Sequence, residues 1–383
     1  MSMRLKKIKW NHFINYMVVG AALIVFIVLS NTTNMASSTQ YLLEKISISI
    51  ILAVSLSLVV GFLGELSLGH AGFMCLGAYL GGKLASLLVP SLGNGVLTLV
   101  ISLLFGGAIA AVFGVIVALP ALRLKGDYLA IVTLAFGEIV KSLFMNSSES
   151  TFGGAIGFST PRFDRNQLFI YGFVLVLITL AVIQNLMRSK HGRAITAIRD
   201  NEIAARATGI NVTKYKLLAF TVSAFFAGIA GVLYSYSQFT IQSAKFGYNY
   251  SIEILVMVVL GGMGSINGSI IAATLITFIN TKFAVLLTGD LAVLQNLLYA
   301  LILIVIVIYS NAPGLKSFRE RVNIHRLWDA LFYRKKDPAR ITDDRANWDR
   351  IPTKIKMDEL LSSEFKVSDD TEPDAPCKKE DRK

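Results

Sequence analysis

The sequence predicts an all-α protein, a polytopic transmembrane helical bundle of about ten spans with both termini in the cytoplasm. Of its 383 residues 54% are apolar and only 16% are charged, and the mean hydropathy is +0.59. Soluble domains carry about 25% charged residues. The apolar residues come in runs of about 18 to 25, the length that a helix needs to cross a bilayer. Basic residues concentrate on alternate loops, as expected of cytoplasmic loops.

Apolar runs define the candidate spans in chain order. They lie at 13–30, 42–62, 66–89, 95–120, 127–146, 167–187, 215–236, 251–268, 270–288 and 291–309. The basic start and first apolar run resemble a signal peptide, but no convincing cleavage pattern follows Ser30. We therefore expect a retained anchor span, and residues 1–310 as one transmembrane domain.

The distribution of charge predicts the orientation. If the basic start is cytoplasmic, the inner loops carry Arg123, Lys125 and the many basic residues of 188–216, whereas the outer loops carry only Arg162, Arg165 and Lys245. An even number of spans then places both termini inside.

Residues 311–383 differ in composition and are expected to form a charged cytoplasmic tail, partly helical and then disordered. Ile324, Leu327, Trp328 and Leu331 follow helical spacing. They predict either an interfacial or partner-docking helix or an amphipathic helix packed on its own bundle.

Several kinds of chemistry find no support. The chain has no phosphate-binding loop with a GxxxxGK[ST] pattern, so any ATP chemistry must belong to a partner. Cys75 lies in a span and Cys377 in the tail, which argues against a disulfide, and the four histidines are scattered singly. We expect no metal, no cofactor and no catalytic site. The net charge of +12 is attributed to membrane topology, not to nucleic-acid binding.

The most informative soluble stretch is the inner loop 189–214. Strong helix formers between Ala194 and Ala207 predict a short helix at about 194–208 along the cytoplasmic face. Gly209 supplies a stop, and residues 211–213 can cap the next span. Two interpretations stay open: the helix docks into a groove of another protein, or it is a solvated linker held by its own ion pairs.

This loop and three other segments resemble a known family. EIAARATG at Glu202–Gly209 resembles the coupling motif of ABC importer permeases. GFLGELSLGHAGF at Gly61–Phe73, LRLKGDYLAIVTLAFGEIV at Leu122–Val140 and VLGGMGSINGS at Val259–Ser269 are similar to branched-chain amino acid permeases, specifically the LivM-type subunit. The likeness covers about residues 40–310. Glu65 stands where the pattern has glutamine, and the charged tail is outside it.

The resemblance implies the permease of a five-part importer in the cytoplasmic (inner) membrane of a prokaryote. Its partners would be a paralogous second permease, two ABC ATPase subunits and an extracytoplasmic binding protein for leucine, isoleucine or valine. It also implies the residues that couple the permease to the ATPases, namely Arg199, Glu202, Ala204, Ala205, Arg206 and Gly209.

Glycines crowd two regions that are candidates for the translocation pathway. They are Gly61, Gly64 and Gly69 in the first region and Gly261, Gly262 and Gly264 in the second. Small residues let membrane helices approach closely, and glycines also mark broken helices that line a cavity. We favour an interrupted or re-entrant element at 61–72 over simple close packing.

Charged residues inside spans are the remaining pathway candidates, because they are costly there. Glu138 is placed near the bilayer middle, one turn from Lys141, and a structural ion pair is favoured over contact with cargo. Glu65 and His70 flank the glycine-rich break and are expected to cap it, with contact to the charged head of an amino acid as the alternative.

We therefore expect an alternating-access permease for branched-chain amino acids that is not itself an enzyme. One alternative keeps the architecture and changes the cargo to urea, a sugar or a nucleoside. The other is an ion-coupled secondary transporter that uses Glu138 as its ion site.

Overall fold

The computed structural model describes residues 36–121, 127–161, 163, 165–238 and 240–286, with the isolated positions 19, 20, 301 and 304. Within them six helices are long and apolar enough to cross a membrane. These are Ser37–Leu63, His70–Leu92, Val96–Pro120, Tyr128–Met145, Gln167–Arg188 and Val212–Ser237. The predicted polytopic helical bundle is confirmed. The predicted spans 13–30 and 291–309 and the tail 311–383 lie outside the described residues, apart from those isolated positions.

The elements follow one another with short connections. Helix α1 (Ser37–Ser57) continues as a π-helical segment at Leu58–Leu63. Helix α2 begins at His70–Leu76, passes through a π-helical segment at Gly77–Gly81 and ends as Gly82–Leu92. The chain continues with α3 (Val96–Ala121), α4 (Asp127–Met145), α5 (Glu149–Phe152), β1 (Phe158–Ser159) and α6 (Arg165–Arg188). Then come α7 (Lys190–Asp200), α8 (Glu202–Ala207), α9 (Val212–Ser237), β2 (Thr240–Ile241), a 3-10 turn (Ser243–Phe246), α10 (Tyr248–Gly261) and α11 (Ile266–Leu286).

The two ends of the bundle gather loops from distant parts of the chain. We call the end that carries residues 189–211 the inner end and the end that carries β1 and β2 the outer end, following the predicted orientation. At the outer end β1 pairs antiparallel with β2, with Phe158 opposite Ile241. At the inner end the Arg199 side chain reaches the backbone at Gly61. Loops that the predicted orientation places on the same side of the membrane are therefore in contact in the structure.

Helix α1 forms the centre of the bundle. In its most apolar stretch 94% of the residues are buried, against 39% for α3. The apolar side chains of α3 that remain exposed, such as Leu97 and Leu104, form a surface suited to lipid or to another membrane subunit. Glycine brings α2 and α9 together, since a Cβ on Gly77 would overlap the backbone of Gly228.

Two predicted boundaries are wrong. The predicted span at 251–268 is α10, which ends at Gly261 and is only 14 residues long, followed by a tight turn and α11. Gly262 and Gly264 adopt φ angles of 90° and 84° in that turn, which other residues rarely adopt. The predicted single helix at 194–208 is instead two helices, α7 and α8, separated at Asn201.

Candidate coupling and transport site

The helix pair α7–α8 is built from local capping signals. The Ser189 hydroxyl caps α7 by accepting hydrogen bonds from the His191 and Gly192 amides. Asn201 takes an extended conformation (φ −158°, ψ 105°), and its side-chain oxygen accepts from the Ile203 and Ala204 amides. An asparagine that caps a new helix this way ends the previous one. Asn201 is thus a helix-capping signal that is visible in the sequence. The prediction of one continuous helix gave more weight to the strong helix formers on either side of it.

The end of α8 and the start of α9 follow the prediction. Gly209 has a φ angle of 84° and donates from its amide to the Arg206 carbonyl, while Ile210 donates to the Ala205 carbonyl. This pairing is typical of a helix that ends at a left-handed glycine. The Asn211 side chain then caps α9 through the Lys214 amide.

A buried lysine connects the helix pair to the bundle. Lys216 in α9 has a side chain that is 6% exposed. Its Nζ lies 2.5 Å from Glu65 Oε1 and 3.1 Å from Glu202 Oε2. Glu202 is also 2.8 Å from Arg206 Nη2. The network joins the loop after α1, the first residue of α8 and the first turns of α9. A shift of α8 would therefore disturb its contacts with the other two segments.

Arg199 makes a second connection from α7. Its Nη1 donates to the Gly61 carbonyl at 3.1 Å, and a Cβ on Gly64 would lie 2.7 Å from its Cγ. Gly61 in turn packs against the turn between α10 and α11, because a Cβ on Gly61 would lie 2.6 Å from the Gly264 amide nitrogen. The two glycine-rich regions are therefore in contact, and Arg199 lies beside both.

The exposed surface of α8 contains only part of the predicted set. Ala204 and Arg206 are exposed, whereas Ala205 is 4% exposed and packs against the bundle. The prediction missed Ile203, an isoleucine that is 80% exposed on this charged helix. It also missed Lys216, because no local pattern indicates that a lysine near the start of a span turns inward to contact two carboxylates.

The predicted interruption of the helix after residue 61 is confirmed at residues 64–69. The π-helical end of α1 stops at Gly64, whose φ angle is 79°, and α2 begins only at His70. The Leu68 amide donates to Thr133 Oγ1 of α4 at 3.0 Å. A Cβ on Gly69 would lie 2.5 Å from the Thr133 carbonyl oxygen. At Leu68 and Gly69 the freed backbone therefore faces protein, as membrane helices require.

Neither Glu65 nor His70 caps the break, contrary to our expectation. Within the described part of the chain, no side chain caps the start of α2 at Gly69. Glu65 turns to Lys216, and His70 is 2% exposed with its Nε2 2.9 Å from Ser55 Oγ of α1. His70 thus ties α1 to α2 within the core.

Glu138 has a structural role in the described residues. Its Oε2 pairs with Lys141 at 2.9 Å, which confirms the predicted contact. Its Oε1 accepts from the Tyr248 amide at 2.8 Å, so this carboxylate caps the N-terminus of α10 from α4. Helix N-termini favour such a negative partner.

The second glycine cluster shapes the hairpin of α10 and α11. Gly261 packs directly against Gly268, where a Cβ on either would overlap the other's backbone. Gly262 ends α10 with its positive φ, and the Ser265 side chain accepts from the Gly268 amide. These glycines allow a compact turn at the inner end.

The spans, the interrupted helix and the helix pair at the inner end define an integral membrane protein of polytopic helical type. The family model described as "Branched-chain amino acid transport system / permease component" matches residues 38–308. The chain belongs to this family.

Curated relatives agree with this assignment. The chain is 36% identical over 326 residues to proteins named high-affinity branched-chain amino acid transport system permease protein LivM from Salmonella typhimurium and from Escherichia coli, covering 75% of this chain and 73% of each relative. It is 28% identical over 285 residues to the ribose import permease protein RbsC of Escherichia coli, covering 70% of this chain and 84% of that protein. No solved structure matches the chain.

Proposed function

We propose that this chain is a membrane permease of an ATP-driven importer that brings branched-chain amino acids across the cytoplasmic membrane of a prokaryote. The observation that carries the proposal is the 36% identity to LivM over most of both chains. The lower identity to the ribose permease, 28%, favours an amino acid over a sugar. The permease supplies the path, and partner subunits hydrolyse ATP.

Uptake of labelled leucine in cells with and without this chain tests the cargo and the energy source together. The proton gradient is collapsed while ATP is preserved, and ribose and urea are measured in parallel. We expect chain-dependent leucine uptake that survives loss of the gradient. Uptake that follows the gradient, or chain-dependent uptake of only ribose or urea, contradicts the proposal.

The contacts of Glu138 argue against an ion-coupled secondary transporter that uses this carboxylate as its ion site. A proton or sodium site needs a carboxylate that is available to exchange its ion. Both Glu138 oxygens are engaged, one by Lys141 and the other by the Tyr248 amide. We therefore assign Glu138 to holding α10 in place.

We further propose that α8 docks into a groove of an ABC ATPase subunit. Its exposed face combines the apolar Ile203 and Ala204 with Arg206, a mixture suited to helix-in-groove recognition. The working importer would also contain a second, paralogous permease, a second ATPase and an extracytoplasmic binding protein.

In this scheme motion of the ATPase reaches the spans by two contacts. Glu202 passes it to α9 and to the loop after α1 through Lys216. Arg199 passes it to the glycine contact between Gly61 and Gly264, and so to α10 and α11. The predicted pathway glycines at the inner end would then serve as the joint on which the permease alternates between its outward-open and inward-open states.

Replacement of the exposed isoleucine tests the docking surface. Ile203→Asp introduces a charge where the wild-type side chain is 80% exposed, so the fold should tolerate it. We expect about a tenfold loss of ATPase subunit that co-purifies with the permease, in line with an apolar anchor at an interface. Ile156→Asp is the matched control, since Ile156 is 68% exposed in the outer loop. Equal co-purification of both variants contradicts docking through α8.

A further inference from the structure

The outer half of the bundle contains a cavity that the sequence patterns did not indicate. Its volume is about 410 Å³, and α1, α2, α9, α10 and α11 contribute to its wall. Cavities that bind small molecules have volumes of roughly 300 to 1,000 Å³. The cavity lies near the ends of the helices that meet the outer loops, away from the Lys216 network at the inner end.

Three charged side chains line this cavity: the exposed Lys245 of the 3-10 turn and two opposite charges that lie on different helices. Lys45 belongs to α1 and Glu253 to α10, and both side chains are half-buried. No ion pair joins them in the part of the chain that the structure describes. Charges inside a membrane protein are costly and normally pair with each other. These two are instead held separately within one cavity.

Each charge has a local contact that fixes its position. Lys45 Nζ lies 5.0 Å from the centre of the Tyr41 ring, a favourable cation–π arrangement. Glu253 Oε1 accepts from Asn280 Nδ2 of α11 at 3.0 Å. The cationic and anionic groups are therefore preorganised, which lowers the cost of binding a ligand between them.

Another polar group in the wall is the Thr277 hydroxyl. The Thr277 side chain is 4% exposed, and its Oγ1 has no hydrogen-bond partner among the described residues. A buried hydroxyl without a partner is unfavourable unless something bound in the cavity engages it. The remaining wall includes Ile48 and Met74, both at most 2% exposed, and these suit an aliphatic side chain.

We propose that this cavity is a binding site for the free amino acid cargo on the outer half of the permease. Glu253 faces the ammonium group of the zwitterion and Lys45 its carboxylate, with Thr277 as an additional hydrogen-bonding group and Ile48 and Met74 beside the aliphatic chain. A neutral sugar or urea carries no opposite charges to match the pair. This inference rests on the proposed function and adds to it the site and the chemical basis of cargo recognition.

The site is tested in the complete importer, reconstituted in proteoliposomes with saturating binding protein outside and ATP supplied to the ATPases. Leucine is the cargo, and ribose replaces it in a parallel reaction with the wild type. Leucine uptake and ATP hydrolysis are measured on the same preparation. We expect Glu253→Gln and Lys45→Met each to reduce leucine transported per ATP about tenfold, since each loses a charge-assisted contact to the cargo. Glu253→Asp, which keeps the carboxylate, should restore at least half of the wild-type ratio.

A structural role for Glu253 gives a different result. The Gln variant retains an oxygen that accepts from Asn280, so packing between α10 and α11 is preserved. If the charge mattered only for assembly, uptake and hydrolysis would fall together and their ratio would stay constant. Lys282→Met is the matched control, because Lys282 is a lysine of the same helix pair that does not line the cavity.

The outcomes distinguish a failure of the proposed cargo site from a failure of the proposed function. If wild-type proteoliposomes transport ribose and not leucine, the proposed function is wrong. If they transport leucine, but Glu253→Gln and Lys45→Met keep the wild-type ratio of leucine to ATP within twofold, the cavity is not the cargo site and the proposed function stands. A reduced ratio in both charge variants, restored by Glu253→Asp and unchanged in Lys282→Met, supports the site.

Discussion

Charged residues lie near both ends of this bundle, but those at the inner end form ion pairs and two of those in the outer cavity do not pair with each other. At the inner end Lys216 lies between Glu65 and Glu202, and Glu202 also pairs with Arg206. In the outer cavity Lys45 and Glu253 face the same space without forming an ion pair. The paired charges join three chain segments, which we propose move together. Separated charges offer binding capacity to a ligand.

The difference shows that burial of charge has two uses in one membrane protein. A buried ion pair is weak evidence for stability, because desolvation offsets much of the attraction. In the proposed coupling scheme its role at the inner end is mechanical, because Lys216 of α9 contacts Glu202 of α8. The outer charges must remain available, and the structure holds each one with a neutral partner, the Tyr41 ring or the Asn280 amide.

Charge reversal at Glu202 should produce the largest effect. Glu202→Lys places a cation beside Lys216, which is 6% exposed, and beside Arg206. Replacing an ionic partner by a like charge at a buried site costs on the order of 3 kcal/mol, or about a hundredfold in an equilibrium. We expect leucine uptake to fall about a hundredfold while the protein remains in the membrane, as measured by uptake and by the amount of permease in isolated membranes.

Glu149→Lys supplies the control for Glu202→Lys. Glu149 is an exposed carboxylate in the first turn of α5, toward the outer end, and its reversal should leave uptake within about twofold because exposed charges contribute little. Wild-type uptake by an intact complex that carries Glu202→Lys would show that the Lys216 network does not transmit motion.

A smaller effect is expected where the two glycine regions touch. In Gly61→Ala the new methyl group would lie 2.6 Å from the Gly264 amide nitrogen, so α1 and the α10–α11 turn must separate. Overpacking of this kind costs about 1 to 3 kcal/mol. We expect a lower thermal midpoint of the detergent-solubilised complex and a several-fold loss of uptake.

Gly137→Ala is the matched comparison for Gly61→Ala, because its nearest neighbour would be 3.7 Å away, an ordinary contact. Its thermal midpoint should stay close to that of the wild type. If the two variants lose stability equally, the close approach of Gly61 and Gly264 is not required.

Sequence patterns predicted several local features of the inner end but not its long-range contacts, and they did not indicate the outer cavity. The apolar runs, the stop at Gly209 and the cap at Asn211 are local, and local signals can be read from neighbouring residues. The contacts of Lys216 with Glu65 and Glu202 join positions 151 and 14 residues apart, which spacing alone does not reveal. The cavity needs five helices to form, so Lys45 and Glu253 resembled ordinary charges near the ends of spans.

The split between α7 and α8 shows that a local signal can also be overlooked when its neighbours favour a different structure. Alanine-rich sequence on both sides of Asn201 favours one continuous helix. The asparagine nevertheless caps α8 with two hydrogen bonds and redirects the chain. That change of direction lets the side chain of Glu202 meet Lys216 at the beginning of α9.

The smallest effect is expected from Glu65→Gln, which tests whether the Lys216 network depends on both carboxylates. Lys216 would keep Glu202 at 3.1 Å, and the new amide oxygen could still accept its hydrogen bond. Only the charge assistance of one hydrogen bond is lost, roughly 0.6 kcal/mol, so we expect uptake within about threefold of wild type. Glutamine is also the residue that the family pattern leads us to expect at this position.

Lys216→Met removes the shared partner of both carboxylates and should reduce uptake at least tenfold in the same assay. The reason is that Glu65, whose side chain is only 15% exposed, then loses its ion pair. If Glu65→Gln proves as damaging as Lys216→Met, the two carboxylates are not interchangeable partners, and Glu65 itself is the main link between α1 and the helix pair.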